Sequence, residues 1–400
     1  MTGGSAVLVL EDGTTVRGES YGAVGQTLGE AVFATGMTGY QETLTDPSYR
    51  RQIVVQTAPH IGNTGWNDED DESHRIWVAG YVVRDPARIP SNWRSARSLD
   101  EELSRQGVVG ISRVDTRALT RRLREHGSMR AGVFSGAALA EPAQLLARVL
   151  ASPSMAGADL VGEVTVAEPY VVPATGERRF RVVALDLGIK SNTPRMLAAR
   201  GIETHVLPAT ATVEQVLERE PDGFFLSNGP GDPATADHPV ALTRAVLARR
   251  MPLFGICFGN QILGRALGRG TYKMRYGHRG LNVPVVEYAT GRVSITSQNH
   301  GFAVVGEPGE RFDSDFGPAV VTHSCPNDGT VEGLTCIDVP AFSVQYHPEA
   351  AAGPHDAAHL FERFCELMAR SGRHSRKGNS QPNGGPVEVE NRDSAPNGGG

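Results

Sequence analysis

An apolar run of strand type that stops at a single cysteine constrains this chain more than any other feature. Residues 252–256 form that run, Cys257 follows it, and residues of helical type come directly after. A sharp strand-to-helix turn of this kind is a nucleophile elbow, with a thiol where many hydrolases carry a serine. Gly255 and Gly259 flank the turn and allow a substrate to approach the backbone closely. The start of the following helix carries partial positive charge, which favours the thiolate of Cys257.

A base and a carboxylate occur together about ninety residues further along the chain, in His347-Pro348-Glu349. On an extended segment, residues two positions apart lie on the same face, so Glu349 can orient His347. The pattern therefore predicts nucleophilic catalysis by Cys257, His347 and Glu349. His300 is the competing base, and it ranks second because no carboxylate lies near it in the sequence.

A turn-rich loop, Ser-Asn-Gly-Pro-Gly-Asp-Pro at 227–233, ends another predicted strand. A plain turn is one interpretation, because every residue in the loop favours turns. The other interpretation is functional. Ligands of open α/β sheets bind outside the carboxyl ends of the strands, where this loop and the cysteine elbow would both lie. Backbone N–H groups at Gly229 and after Cys257 would then form an oxyanion hole.

Alternating strand and helix patterns characterise the C-terminal part of the chain. Strand-like runs lie at 181–187, 204–207, 223–227 and 253–256, and helical stretches lie at 213–219 and 240–250. This alternation implies βαβ units and a parallel sheet. Closely spaced strands after Val283 suggest an antiparallel edge, and residues 355–369 have the pattern of a closing amphipathic helix.

The N-terminal part has a different pattern, with short strand-like runs such as 6–10 and 53–56 and a helix predicted around 117–126. All three tryptophans lie in this part, which favours a separate core. We predict an α/β protein in which a smaller, β-rich mixed α/β domain precedes a mainly parallel-sheet domain. The predicted divisions are an N-terminal domain at 1–150, a linker at 151–179, a C-terminal domain at 180–370 and a disordered tail at 371–400.

Composition and motif absences narrow the possible functions. A net charge of -6 argues against a nucleic-acid-binding surface, and no apolar run is long enough for a membrane span. Four cysteines without Cys-x-x-Cys spacing or a signal sequence favour a cytoplasmic location. The sequence has no Walker pattern for ATP. His355 and His359 have metal-ligand spacing, but Asp356 stands where a metalloprotease needs Glu, so we predict no metal in this chain.

Three motifs together resemble those of the class I (triad) glutamine amidotransferases, in the right order over about 180–370. They are residues 255–261, 228–233 and 347–349. Five further segments resemble the small, glutamine-hydrolysing subunit family of carbamoyl-phosphate synthase, namely 35–42, 45–50, 61–65, 115–121 and 297–302. The resemblance thus covers nearly the whole chain except the tail. Asn260 departs from it, because many family members carry His there.

The resemblance implies a role for each site residue. Cys257 attacks the side-chain amide of L-glutamine to form a glutamyl thioester, and His347 protonates the leaving ammonia. Glu349 holds and polarises His347, while the backbone at Gly229 and Phe258 holds the oxyanion. The family's glutamine-binding positions are matched by Ser48, Gly229, Gly231, Phe258, Gln261, Asn299, Gly301 and Phe302.

The resemblance also implies a partner. Ammonia passes through an internal tunnel to a large subunit, with which this chain forms a cytoplasmic heterodimer. The large subunit uses bicarbonate and two ATP to make carbamoyl phosphate for arginine and pyrimidine biosynthesis. ATP and divalent metal are expected on that subunit, and no cofactor is expected in this chain. Residues 1–150 are expected to carry much of the contact with the large subunit.

Three alternative functions can each be separated from this one. Another triad amidotransferase, such as the glutaminase component of anthranilate synthase, typically lacks an N-terminal domain like residues 1–150. A regulatory scaffold would have no need for Cys257, His347 and Glu349, and a glutaminase assay would identify it. A cysteine peptidase-like hydrolase acting alone would not be stimulated by a partner synthase.

Overall fold

The N-terminal strands close into a barrel in the computed structural model, which describes residues 4–378. The strands of this part are β1 (Ser5–Leu10), β2 (Thr15–Gly22), β3 (Gln26–Ala34), β4 (Gln52–Gln56), β5 (His60–Ile61), β6 (Gly80–Val82), β7 (Asp85–Pro86), β8 (Val109–Ser112) and β9 (Met129–Ser135). The order around the barrel is β1-β2-β8-β6-β4-β3-β9, and β9 closes onto β1. Closure pairs both edges of the sheet, and β5 and β7 pair separately.

Four α-helices accompany the barrel: α1 (Tyr40–Thr45), α2 (Leu99–Arg105), α3 (Thr116–His126) and α4 (Pro142–Ala151). Helix α2 begins at a capping box, in which Ser98 and Glu101 satisfy each other's backbone N–H groups. Helix α3 lies where the sequence predicts it. Trp66 and Trp77 are buried, but Trp93 is 91% exposed.

The C-terminal part is built on one sheet of eleven strands. The strands are β10 (Tyr170–Val172), β11 (Phe180–Asp186), β12 (Ile202–Pro208), β13 (Gly223–Leu226), β14 (Leu253–Ile256), β15 (Thr271–Glu287), β16 (Val293–Val304), β17 (Arg311–Phe312), β18 (Ala319–Ser324), β19 (Val331–Cys336) and β20 (Ala341–Val344). The helices are α5 (Val161–Val164), α6 (Asn192–Ala198), α7 (Val213–Leu217), α8 (Asp237–Ala248), α9 (Phe258–Ala266) and α10 (His359–Gly378).

The centre of this sheet is parallel, in the order β12-β11-β13-β14-β20. Its strands are apolar on both faces because helices cover both sides. Val183 and Leu185 pack on one side with Ile262 of α9, whereas Val182 packs on the other with Phe361 of α10. Strands β19, β18, β15 and β16 then continue the sheet antiparallel. The predicted α/β fold class is confirmed, including its antiparallel edge.

The boundaries between the predicted parts carry more structure than their composition suggests. In the segment predicted as a linker, α5 contributes Val161 to the sheet core and β10 pairs with β12. Helix α10 begins at His359 instead of 355, and it continues past 371, so the predicted start of the tail lies inside a helix. Residues 379–400 of that predicted tail lie outside the described residues.

Polar contacts join the barrel to the C-terminal sheet. Arg50 Nε lies 2.7 Å from Glu163 Oε2. Ser191 donates its backbone N–H to the carbonyl of Glu72 at 2.7 Å. These contacts place the carboxyl ends of the parallel strands against the barrel. Within residues 4–378, no helix is both long enough and apolar enough to cross a membrane.

Candidate active site

Cys257 occupies a strained turn between β14 and α9. Its backbone has φ 56° and ψ -103°, a conformation rare for a residue with a side chain. The turn is held because the Cys257 N–H donates to the Val344 carbonyl at 2.8 Å. A Cβ on Gly255 would lie 2.8 Å from the Gly259 carbonyl oxygen, and one on Gly259 would lie 2.4 Å from that of Leu226. Both glycines are therefore required by close backbone packing.

His347 and Glu349 follow β20 in a buried turn. The Nδ1–H of His347 donates to Glu349 Oε1 at 2.7 Å, and the His347 backbone N–H donates to the Ser297 carbonyl. The two side chains meet in this turn instead of on the extended segment that the sequence suggested. His347 Nε2 has no hydrogen-bond partner among the described residues. The Glu349 contact fixes the ring and leaves Nε2 free to act on another group.

Lys190 adds a buried cation to this pair. It lies just beyond the carboxyl end of β11, with Nζ 2.6 Å from Glu349 Oε1. Burial lowers its pKa, but Glu349, Asp46 and Glu72 outweigh burial, and the pKa of Lys190 is raised overall. Asp46 and Glu72 both come from the N-terminal part, so the two parts of the chain share the electrostatics of the site.

The charges around His347 favour its protonated form. Burial and Lys190 lower the pKa of His347, but Glu349 and Cys257 raise it by more, so the pKa lies above its ordinary value. Burial raises the pKa of Glu349, whereas Lys190 and His347 lower it by more, so this pKa lies below its ordinary value. At neutral pH the pair is therefore an imidazolium and a carboxylate, and the imidazolium can donate a proton.

A cavity beside Cys257 is lined by all eight predicted glutamine-binding residues: Ser48, Gly229, Gly231, Phe258, Gln261, Asn299, Gly301 and Phe302. His347 lines a second cavity, which adjoins the first at Asn299 and is also bordered by Lys190 and Asp46. Cys257 thus lines the first cavity and His347 lines the second, and Asn299 lines both.

Ser48 reaches this cavity from the N-terminal part. It lies in a 3-10 helix at Pro47–Tyr49, where Asp46 Oδ1 accepts its backbone N–H at 2.8 Å. The Ser48 hydroxyl accepts a hydrogen bond from Asn228 Nδ2 at 2.9 Å. Asp46 Oδ2 also accepts from Asn299 Nδ2 at 3.3 Å. The Asp-Pro-Ser turn expected from sequence is present, and it orients Ser48 toward the predicted oxyanion loop.

The glycines of that loop have no space for a side chain. A Cβ on Gly229 would lie 2.2 Å from the Leu187 carbonyl oxygen. Gly231 has φ 90°, and its Cβ would lie 2.6 Å from the Ala158 carbonyl oxygen. The loop therefore exposes backbone to the cavity beside Cys257, as an oxyanion hole requires.

Gln261 belongs to a buried amide network. Its Nε2 donates to the Phe302 carbonyl at 2.8 Å and to Gln345 Oε1 at 3.2 Å. Asn260, where many family members carry His, donates to the same Gln345 oxygen and accepts from Ser343 Oγ at 2.8 Å. The departure at Asn260 is therefore accommodated within this network.

His300 lines the cavity, but both of its ring nitrogens contact other groups. Nδ1 donates to the Phe302 carbonyl at 2.8 Å, and Nε2 lies 2.9 Å from Gln298 Oε1. Burial, with the neighbouring charge of His278, holds the pKa of His300 well below its ordinary value. Cys257 Sγ lies 3.6 Å from the Asn299 carbonyl oxygen. This geometry favours His347 over His300 as the acid–base group.

A second group of titratable side chains surrounds His278. Its Nε2 lies 2.8 Å from Asp328 Oδ2, and its Nδ1 lies 3.2 Å from Glu332 Oε1. Two sets of these side chains are close enough together to hold a metal ion. One set is His278, Cys325 and Asp328, and the other is His278, His300 and Glu332. Burial lowers the pKa of His278, but the two carboxylates outweigh it and raise the pKa to about 10. The ring is therefore an imidazolium at neutral pH, and it would have to release a proton before one of its nitrogens could bind a metal ion.

Comparison with known proteins matches both parts of the chain. A family model for the carbamoyl-phosphate synthase small chain, CPSase domain, matches residues 8–133, and one for class-I glutamine amidotransferases matches 183–367. The carbamoyl phosphate synthase small chain of Streptomyces avermitilis is 69% identical over 91% of this chain and 96% of its own length. That of Mycobacterium tuberculosis strain H37Rv is 68% identical over 92% of this chain and 99% of its own length. This chain belongs to the carbamoyl-phosphate synthase small chain family.

Membership of the small chain family confirms the resemblance drawn from the motifs. Sequence reasoning nevertheless missed residues that the structure brings to the site, above all Lys190 and Asp46. Lys190 comes three residues after the carboxyl end of the strand predicted at 181–187, a place where ligand-site residues collect, so its position was a usable signal. Asp46 had no comparable signal, because its contacts with Asn228 and Asn299 exist only after the two parts of the chain have packed together.

Proposed function

We propose that this chain is the glutaminase subunit of a carbamoyl-phosphate synthase and hydrolyses L-glutamine at Cys257. One observation carries the proposal. The strained cysteine lines a cavity together with all eight predicted glutamine-binding residues, and His347 of the buried His347–Glu349 pair lines a second cavity that shares Asn299 with the first. Family membership supports the same activity, because the relatives are carbamoyl phosphate synthase small chains.

The first step forms a thioester. The sulfur of Cys257 attacks the side-chain amide carbon, and negative charge develops on the amide oxygen beside the backbone of Gly229 and Phe258. The C–N bond then breaks, with a proton passing from His347 to the nitrogen, so that ammonia leaves and a glutamyl thioester remains. Glu349 holds the ring of His347 and stabilises its positive charge.

The second step releases glutamate. A water molecule gives a proton to His347 while its oxygen attacks the thioester carbon. The C–S bond breaks, and the sulfur of Cys257 leaves as the thiolate or recovers a proton from His347. Glutamine and water thus become glutamate and ammonia, and the enzyme returns to its starting state.

The second cavity suggests where the ammonia goes. It is bordered by Asn299, Lys190, Tyr49 and residues 350–352, and Asn299 also lines the cavity that would hold glutamine. Ammonia must stay out of bulk water, where at neutral pH it is mostly protonated and no longer nucleophilic. We therefore propose transfer through an internal tunnel that begins at this cavity.

The proposed recipient is a large subunit that makes carbamoyl phosphate from bicarbonate and ATP, with this chain as the second member of a cytoplasmic heterodimer. ATP and divalent metal would be bound by the large subunit, and this chain would need no cofactor. The product would supply arginine and pyrimidine biosynthesis.

The proposal is tested by purifying the full chain with the protein that accompanies it from a native extract. Glutamate release is measured for the chain alone and for the complex, together with carbamoyl phosphate formed from glutamine or from ammonium salt. We expect glutamine hydrolysis by the chain, strong stimulation by the partner, and synthesis from either nitrogen source. A chain that hydrolyses no glutamine in the complex would refute the proposal, and a partner without synthase activity would refute its second half.

A further inference from the structure

A cavity of about 620 Å³ lies at the amino ends of β14 and β20, and no step of the proposed reaction uses it. Arg249 and Arg250 come shortly before β14, and Pro340 comes directly before β20. These two strands are parallel and paired from their first residues. Cys257 and His347 follow their carboxyl ends, so the cavity and the proposed catalytic residues lie at opposite ends of the same two strands.

Four arginine side chains line this cavity. Arg249 and Arg250 follow α8, whereas Arg363 and Arg370 belong to α10. Among the described residues that line the cavity, Asp338 is the one acid. The wall therefore carries four cations against one carboxylate, a balance that attracts anions.

Most of this positive charge is not neutralised by the protein itself. Among the described residues, Arg249, Arg250 and Arg363 form no ion pair, whereas Arg370 Nη2 lies 3.1 Å from Glu366 Oε2. Arg249 and Arg250 donate to backbone carbonyls instead. A guanidinium group has five N–H donors in a planar fork that fits the oxygens of phosphate, so most of these donors are still available to a ligand.

Arg363 is partly buried at the wall of the cavity. Its guanidinium carbon lies 4.4 Å from the centre of the Phe342 ring, and Nη2 donates to Thr335 Oγ1 at 3.2 Å. Burial lowers the pKa of Arg363, and the opposing effect of Glu287 does not compensate for it. A partly buried cation without a carboxylate partner is unfavourable, and a bound anion would stabilise it.

We propose that this cavity binds a phosphate-bearing small molecule, whose phosphate contacts Arg250 and Arg363. The cavity volume falls in the range of about 300–1,000 Å³ that is typical of small-molecule sites. Its apolar lining residues, among them Ile337, Val339 and Leu367, would pack against the organic part of the ligand. A phosphate suits the site better than a carboxylate, because it carries more negative charge and can accept from two guanidinium groups at once.

An arginine-rich surface that only contacts solvent is the competing explanation, because this chain uses arginine far more often than lysine. The two explanations differ in whether anion binding saturates and depends on the arginines of the cavity. The inference does not rest on the proposed function, since the cavity lies away from Cys257 and the measurement involves no glutamine.

The test measures binding of phenyl phosphate and of inorganic phosphate to the full chain by calorimetric titration, at constant ionic strength in chloride. For the wild type we expect a Kd for phenyl phosphate below about 1 mM. Inorganic phosphate should bind about tenfold more weakly, because it has no apolar part to bury. Arg250→Gln and Arg363→Gln should each weaken phenyl phosphate binding about tenfold or more. Asp338→Asn should strengthen it about twofold to threefold, because a like charge is removed.

Arg17→Gln is the matched control, because it removes an exposed arginine of β2 that does not line the cavity. It should leave the affinity for phenyl phosphate unchanged. The melting temperature of each variant without ligand shows whether the chain is folded, and Arg250→Gln remains the test should Arg363→Gln yield no folded chain. The inference would be overturned by a wild type without saturable binding. It would equally be overturned by binding that Arg250→Gln weakens no more than Arg17→Gln does, since the phosphate would then be an adventitious ion only.

Discussion

Lys190 Nζ lies 2.6 Å from Glu349 Oε1, the same carboxylate oxygen that accepts the Nδ1–H of His347 at 2.7 Å. One oxygen therefore joins a structural cation to the proposed acid–base residue. Lys190 lowers the pKa of His347 while Glu349 raises it, so the cation limits how strongly the carboxylate holds the imidazolium proton. Because His347 has to give this proton to the leaving ammonia, a proton that is held less tightly is transferred more easily.

Replacing Lys190 with Met should shift the pH dependence of glutamine hydrolysis. Without the lysine the pKa of His347 rises further, so the imidazolium persists to higher pH. The alkaline limb of kcat/KM should move upward, while the maximal rate falls because the proton is held more tightly. Profiles measured from pH 6 to 10 check this, with Lys190→Arg as the control that keeps the charge. An alkaline limb that is unmoved, or moved to lower pH, would contradict the proposed coupling.

Lys190→Met should also destabilise the chain, by about 3 kcal/mol, because one member of a buried ion pair is lost. Glu349→Gln should be destabilising for the same reason, since it leaves Lys190 buried without its closest counter-charge. The double variant should lose less than the sum of the two single losses. Unfolding in urea measures all three, and strictly additive losses would show that the two side chains do not interact.

Cys257→Ser should abolish glutamine-dependent carbamoyl phosphate synthesis, by at least about 1,000-fold, because the thioester cannot form. Synthesis from ammonium salt should stay at the wild-type rate, since free ammonia bypasses this step. Cys365→Ser, which changes a buried cysteine on the core-facing side of α10, is the control and should leave both activities unchanged. Loss of both activities in a folded Cys257→Ser complex would mean that the cysteine is structural.

His347→Asn should lower glutaminase turnover by about 100- to 10,000-fold, the range for removal of a general acid–base group. Glu349→Gln should lower it less, because it removes the group that orients the ring and not the group that transfers the proton. Single-turnover rates of both variants, corrected for the folded fraction, check the order. Equal or reversed losses of turnover would mean that His347 is not the acid–base group, and His300 would then be the next candidate to test.

The fold and the positions of the proposed catalytic residues were largely readable from the sequence because they depend on local patterns. The strand before Cys257 and the turn at 227–233 are each recognised from a few consecutive residues. Asp46 was not readable, because its partner Asn299 lies far along the chain and meets it only across the packed domains.

Two features could not be read from residue type or average composition. Residue type alone does not decide burial, since Trp66 and Trp77 are buried whereas Trp93 is exposed. The segment at 151–179 was predicted as a linker from its content of Pro, Gly and Glu. Average composition hides single apolar residues such as Leu160 and Val161, which are enough to anchor the segment to the folded parts.

His278 should make the folded state less stable as pH rises above neutrality. Its folded pKa of about 10 lies above its ordinary value of 6.5, because Asp328 and Glu332 outweigh burial. Its contribution is therefore complete below about pH 6.5 and is lost progressively as pH rises toward 10. His278→Asn should remove this contribution. The free energy of unfolding in urea, measured at several pH values, should differ most between the two chains near pH 6 and least near pH 10.

His60→Asn is the control for that experiment, because it removes a histidine whose side chain is 55% exposed. A wild type and a His278→Asn variant whose stabilities run parallel from pH 6 to 10 would show that the imidazolium is not stabilised by its two carboxylates. If the difference in the free energy of unfolding between the wild type and His278→Asn grew with pH, the sign of the effect would be opposite to that expected. That outcome would favour a neutral ring at position 278.

The N-terminal part should carry much of the contact with the large subunit, and two of its side chains identify a surface for the test. Ile89 is 82% exposed and Trp93 is 91% exposed, and neither lines the cavities around Cys257 and His347. Exposed aromatic and aliphatic side chains commonly anchor protein interfaces, and these two are four positions apart in the sequence. Trp93→Ala and Ile89→Ser should therefore weaken binding of the large subunit about tenfold or more, while partner-free glutamine hydrolysis changes less than about twofold.

Val293→Ser, at an exposed position of the C-terminal sheet, is the matched control. The affinity of each variant for the large subunit is measured by titration. If Val293→Ser lost more affinity than Trp93→Ala, the contact would lie on the amidotransferase part and this placement would be refuted.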